Sequence, residues 1–190
     1  MNKENTYKNP NLTGLKELES FLQLIADLGE KIDLYAIGGT AMVIENIKES
    51  TKDIDFMTTT PQKEMRRLLT LAGLKEEDQS AACNKWYLGT TRIDLFYDGF
   101  VLNLQLSQDW KEQSKFIRQV GLIKLLRMGW RDIIFTKLDR NEPRDIEDCK
   151  DIITAQKISM KKLKAEYEEF AENSIAHYKE KFMALEGTFK

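Results

Sequence analysis

The 190-residue sequence predicts an α+β fold, an α/β mixed sheet followed by a helical C-terminal region. Three observations predict it. Short apolar segments alternate with amphipathic helical ones from Leu15 to Leu71. A hairpin pattern follows between Lys85 and Tyr97. The stretch from Met160 to Leu185 then carries a helical apolar stripe. The expected division is a core over residues 1–155 and a helical extension over 156–190.

Each element follows from its local pattern. Residues 1–13 are polar. Leu15, Leu18, Phe21, Leu22, Ile25 and Leu28 recur at threes and fours, which predicts a helix stopped by Gly29. Asp33–Ile37 is short and mostly apolar, a buried strand that runs into a tight turn at Gly38-Gly39. Thr40–Ile47 continues as a helix, and Asp53–Thr58 is the next strand. Thr60-Pro61 supplies an N-cap and a first-turn proline for a helix through Leu71. Lys85–Leu88 and Arg92–Tyr97 flank Gly89-Thr90-Thr91 as a hairpin. Leu102, Leu104 and Leu106 alternate with Asn103 and Gln105 as a further strand. From Trp110 the chain is expected to turn helical and basic, with Leu122–Leu126 as a short strand inside that stretch. Arg131–Arg140 and Asp145–Ile153 read as helices divided by Pro143. The tail is one long helix or two. Its stripe of Leu163, Tyr167, Phe170, Tyr178, Phe182 and Leu185 is a face that packs on the body or on a second subunit.

Composition narrows the chemistry. Apolar residues at 42%, charged residues at 32%, three prolines and ten glycines exclude collagen-like, low-complexity and disordered chains. With 29 basic and 31 acidic residues the net charge is −2, which argues against a generally cationic nucleic-acid coat. A local basic patch is still available: Lys111, Lys115, Arg118, Lys124, Arg127 and Arg131 stand against Glu112 alone. The single histidine, His177, excludes a multi-histidine metal site and reads as a helix-surface residue. Cys83 and Cys149 lack the spacing of a zinc knuckle or redox pair, and two thiols make no disulfide framework. Met1–Asn5 carries no apolar signal core, and no apolar run approaches the roughly 20 residues that span a bilayer. A cytoplasmic location without membrane contact is expected. Chemistry falls to carboxylates, hydroxyls and lysines.

Three features converge on one site. Gly38-Gly39-Thr40 stands between a strand and a helix, where glycine admits close backbone approach and the helix offers free N–H groups to phosphate. Asp53 and Asp55 lie at i and i+2 of a strand, pointing the same way about 7 Å apart. Like charges that close raise each other's pKa unless a cation intervenes, and magnesium is the natural hard-oxygen partner. Asp94 is a third acid, inside the apolar strand Ile93 to Phe96. Beside the first pair it completes a cluster suited to two metal ions and in-line phosphoryl displacement.

The run Ile37-Gly38-Gly39, then Asp53-Ile54-Asp55-Phe56, then Asp94, resembles the nucleotidyltransferase fold shared with DNA polymerase β. Lys48 to Asp55 is similar to the small prokaryotic branch related to the abortive-infection toxin nucleotidyltransferases. A second block resembles the helical segment of those proteins: Lys137-Leu138-Asp139-Arg140, then Pro143-Arg144-Asp145-Ile146-Glu147-Asp148. The resemblance covers roughly residues 20–155 and implies a nucleotidyltransferase-like core with a helical C-terminal region. It implies that Gly38, Gly39 and Thr40 hold the β- and γ-phosphates of a nucleoside triphosphate. Asp53 and Asp55 would bind both metals (Mg2+ or Mn2+), and Asp94 would hold the catalytic one and favour deprotonation of the attacking hydroxyl. Lys137 and Asp148 would sit near the nucleotide, although Asp145 and Asp148 can equally be a capping and surface pair. Glu49 stands where many relatives carry arginine, so Lys48 or Lys52 would supply that charge.

The function implied is transfer of a nucleoside monophosphate to a hydroxyl of RNA (a tRNA end, for example), of a protein or of a small molecule. Trp110, Phe116 and Trp130 among the cations suit an RNA acceptor, or are simply buried beneath a solvated face. The competing reading is a catalytically weak or inactive binding module, half of a toxin–antitoxin pair. A third is a homodimer, or a complex with a partner protein, built on the C-terminal helix.

Overall fold

The chain, seen in a computed structural model, is described over residues 13–102, 104–172 and 178–189. The first half runs α1 (Leu15–Ala26), β1 (Ile32–Ala36), α2 (Gly38–Ile44), β2 (Ile54–Thr58) and α3 (Gln62–Leu71). Strands β3 (Lys75–Gln79), β4 (Cys83–Leu88), β5 (Thr91–Tyr97), β6 (Phe100–Val101) and β7 (Leu104–Gln105) follow. Then come β8 (Lys115–Val120), β9 (Ile123–Arg127), α4 (Trp130–Arg140), α5 (Pro143–Gln156), α6 (Met160–Glu172) and α7 (Tyr178–Gly187).

Among the described residues the main sheet has seven strands in the order β3-β4-β5-β2-β1-β9-β8, and β6 pairs with β7 apart from it. It is mixed: β1 runs parallel to β9 and β2 parallel to β5, while the other neighbours are antiparallel. Alternation along β2 sends Ile54 and Phe56 to one face, both fully buried. Helix α1 covers that face through Leu18, Phe21, Leu22 and Ile25, with the Phe21 ring stacked 5.9 Å from Phe56. Each such buried apolar side chain contributes about 1.5–3 kcal/mol. The opposite face of β2 is left for Asp53 and Asp55.

The C-terminal stripe is consumed within the chain. Leu163, Tyr167, Phe182 and Leu185 are buried, and Tyr167 meets Phe135 of α4 and Phe182 of α7, both at 5.0 Å. Phe170 lies 5.2 Å from Phe135. Helices α6 and α7 therefore close over α4 and α5. His177 lies outside the described residues, as does the side chain of Tyr178. No helix among the described residues is long and apolar enough to cross a membrane.

Several expected elements are corrected. The stretch after Trp110 is a hairpin and not a helix, with the strand expected at Leu122–Leu126 as its second arm: β8 and β9 are joined by Gly121-Leu122, with Gly121 at φ +56°. Gly121 also abuts α1, since a Cβ there would stand 3.2 Å from the Ala26 Cβ. Four of the six cations of this stretch are paired inside the chain: Lys115 and Arg127 with Glu45, Arg118 with Glu19, Arg131 with Asp109. Trp110 is buried edge-on to Tyr35, and Arg127 stacks over Trp130. That leaves Phe116 as the exposed ring of the three, so no stacking platform of aromatics is assembled. The strand expected at Leu102–Leu106 is reduced to the short β6–β7 pair. Pro61 caps α3 in place of Thr60, and β3, a fully polar edge strand, was not anticipated.

Candidate active site

The site forms where β1 ends against β2. The Ile37 N–H donates to the Asp55 carbonyl at 3.1 Å and ties the two strands together. Gly38 follows at φ +52°, a conformation that penalises any residue with a Cβ. A Cβ there would stand 3.3 Å from Asp55 Oδ2, so glycine lets the backbone come up against the acid. At Gly39 a Cβ would fall 2.1 Å from Thr51 Oγ1. Helix α2 begins at Gly38 itself, so both glycines belong to its first turn and not to a separate turn before it.

Thr40 is buried, and its Oγ1 accepts the Asp55 N–H at 2.9 Å and donates to the Asp53 carbonyl at 3.4 Å. Its hydroxyl holds the acid-bearing segment in place. Thr40 is not among the residues lining the cavity, whereas Gly38 and Gly39, expected with it at the β- and γ-phosphates, are.

Parallel pairing of β2 with β5 sets Asp55 directly beside Asp94. Asp53, just before β2, shares the Asp55 face. Burial first, then the neighbouring Asp94 and Asp53, push the Asp55 carboxyl up to about 7. Burial also raises Asp53, against the pull of Arg92. Arg92 was not foreseen: its Nε and Nη2 bond both oxygens of Asp94 at 2.8 and 2.7 Å, and Nε lies 4.0 Å from Asp53 Oδ1. The Arg-x-Asp alternation on β5 was the available signal.

Helices α4 and α5 supply the facing wall. Buried Lys137 bonds Asp148 at 2.6 Å and reaches Asp145 at 3.6 Å. Lys48 bonds the other Asp148 oxygen at 2.5 Å, and Arg140 forks onto Asp145 at 2.7 and 2.5 Å. Asp145 is also the capping partner of Glu142, accepting its N–H at 3.2 Å. Burial alone would raise Asp145, yet the Arg140 bonds and the nearby Lys137 charge hold it below the usual range. Asp148 is thus a buried bridge between two lysines and not a surface acid.

Between these walls lies a cavity of about 510 Å³. All the expected site residues except Thr40 line it: Gly38, Gly39, Lys52, Asp53, Asp55, Asp94, Lys137 and Asp148. Arg92, Arg140 and Arg144 add three further cations to the lining. Asp53, Asp55 and Asp94 are a hard-oxygen donor set of the kind divalent cations take. The Asp55 carboxylate accepts no hydrogen bond among the described residues, so its charge is not already satisfied. Among those residues no three acid, cysteine or histidine side chains yet stand in a metal-holding arrangement. Arg92 holds Asp94 instead.

With this geometry established, comparison with known proteins is informative. A family described as "Nucleotidyltransferase of unknown function (DUF6036)" matches residues 13–186. Of the curated proteins, none matches the chain by sequence. The crystal structure of ANT(2″)-Ia in complex with adenylyl-2″-tobramycin is similar in fold at 12% identity and TM-score 0.59, covering 92% of this chain and 99% of that one. Its solution structure gives TM-score 0.61 at 12% identity, with 93% and 98% covered. A Thermotoga maritima protein provisionally assigned as a nucleotidyltransferase gives TM-score 0.50 at 13% identity, with 75% and 96% covered. At these identities the likeness is one of fold. The family match spans nearly the whole chain, which therefore belongs to this family of nucleotidyltransferases.

Proposed function

We propose that the chain is a divalent-metal-dependent transferase that moves a nucleoside monophosphate from a nucleoside triphosphate to an acceptor hydroxyl. One observation carries the reading: Asp55 and Asp94 stand side by side on parallel strands, with Asp53 on the same face, against the Gly38 backbone in a cation-walled cavity. Asp53, Asp55 and Asp94 would hold magnesium or manganese, whose charge when bound would stabilise the attacking and leaving oxygens of an in-line displacement.

The remaining work falls to the chain. Gly38 and Gly39 admit the β- and γ-phosphates close to the backbone. Lys52, exposed at the rim, offers charge to them, as does Lys137, which Asp148 holds in position. Asp94 draws the proton from the acceptor hydroxyl. The hydroxyl oxygen bonds the α-phosphorus, and the bond to pyrophosphate breaks. ANT(2″)-Ia, seen with an adenylylated tobramycin, supports a small-molecule hydroxyl as acceptor. An RNA hydroxyl draws less support, since most cations of the basic stretch are paired internally.

One observation favours a second reading, a nucleotide-binding module that transfers nothing: both Asp94 oxygens are bonded to Arg92. Incubation with each labelled nucleoside triphosphate, magnesium and a metabolite and RNA extract separates the two. Label transfer that is lost in Asp53→Asn, Asp55→Asn supports the transferase. Retained binding of the triphosphate without transfer supports the module.

A further inference from the structure

Four side chains make a rectangle on the site face of the sheet. Asp53 and Asp55 follow the line of β2; Arg92 and Asp94 follow β5. Three are carboxyls and one is a guanidinium. Lys85, opposite Asp94 on β4, is turned away to Asp78 at 3.2 Å. Among the described residues, then, the cation bonded to Asp94 is Arg92. Its fork takes both carboxylate oxygens, the strong bidentate form of such a pair. Those oxygens are the ones a cation shared with Asp55 would need. The Arg92 side chain is about one-third exposed, at 32%, and lines the open cavity, so it has room to leave.

Building on the transferase reading above, we propose that Arg92 is a displaceable counter-ion of the acid cluster: it holds Asp94 in the metal-free protein and competes with the divalent cation for it. Arg92 is then a positioning residue that sets how tightly the site takes its cation. A cluster of three acids needs a balancing charge while empty, and an arginine two residues before the third acid provides it without leaving the strand. The fork sets both Asp94 oxygens toward the Arg92 guanidinium.

The test is a manganese titration without nucleotide, following free Mn2+ by electron paramagnetic resonance. Arg92→Gln is expected to bind Mn2+ at least about tenfold more tightly than the parent chain. Arg92→Lys, which keeps the charge but cannot fork, is expected to fall between them. Equal affinity of the parent and Arg92→Gln overturns the proposal. If Arg92→Gln does not fold by circular dichroism, Arg92→Lys carries the same test, and its equality with the parent overturns the proposal. Adding Asp53→Asn, Asp55→Asn to each background isolates the underlying reading. If Mn2+ binding survives that pair of changes, the acids are not the metal site and the transferase reading fails with it. If binding is lost there but Arg92 variants match the parent, the role of Arg92 alone falls.

Discussion

Asp55 Oδ2 lies 3.3 Å from the point where a Cβ on Gly38 would stand, and Gly38 sits at φ +52°. Gly38→Ala therefore meets two obstacles, backbone strain of about 1–2 kcal/mol and a displaced carboxylate. Gly39→Ala collides with Thr51 Oγ1 and Cβ, at 2.1 and 2.8 Å, and Thr51 is itself tied to Thr13 by two backbone bonds. Urea denaturation is expected to show a loss of about 1–3 kcal/mol for Gly39→Ala, as for other overpacked sites. A stability equal to the parent's would mean that this corner is looser than described.

The acid cluster makes a prediction about pH in chelator, with metal removed. The Asp55 carboxyl is raised from 3.8 to about 7, so the folded chain keeps a proton that the unfolded chain has lost. That contribution is fully present below about pH 4 and disappears as pH rises through about 7. Asp55→Asn does not titrate. Its melting temperature is expected to gain on the parent between pH 5 and pH 8, by about 2–4 °C for each kcal/mol involved. A difference that stays constant across that range contradicts the assignment.

Lys137 is buried between Asp148 and Asp145, so Lys137→Met leaves Asp148 with Lys48 alone. Removing one member of a buried pair costs about 3–5 kcal/mol, whereas replacing both with apolar residues is often near neutral. Urea unfolding is expected to show that loss for Lys137→Met and a large recovery in Lys137→Met, Asp148→Leu. Additive losses would show that the two residues do not act as a pair.

Phe182 packs on Tyr167, which packs on Phe135, all within one chain. Phe182→Ala is expected to cost about 3–5 kcal/mol of stability. Sedimentation velocity is expected to give the same mass for variant and parent. A change in mass would place the stripe at a subunit boundary after all.

How much of this was legible in the sequence depends on where each signal lives. The Gly38-Gly39 corner and the Asp53, Asp55 and Asp94 set are local patterns of spacing and alternation, and the sheet pairs them as expected. Of the β8–β9 hairpin the second arm is legible as Leu122–Leu126, while the first is obscured because its cations recur at helix-like intervals, with Gly121 as the cue to a two-residue loop. Strand β3 has no apolar residue to mark it. It forms because β4 offers an edge and because Glu76 is bonded by Arg66 and Asn84. Thr40 and Arg92 show a different limit. Residue type made each a plausible ligand-facing or surface group, but their partners are residues distant in sequence or brought together only by the strand face.

In the proposed reaction Asp53, Asp55 and Asp94 together support transfer of a nucleoside monophosphate to a hydroxyl. The most direct measurement incubates the chain with α-labelled nucleoside triphosphates, magnesium and hydroxyl-bearing acceptors, and follows both labelled product and released pyrophosphate. Magnesium-dependent transfer with matching pyrophosphate release is expected. Asp53→Asn, Asp55→Asn is expected to lower the rate by a factor on the order of 100 or more, the scale of losing electrostatic stabilisation in such a site. Transfer that persists undiminished in that variant, or no transfer from any of the four nucleotides, would contradict the proposed reaction.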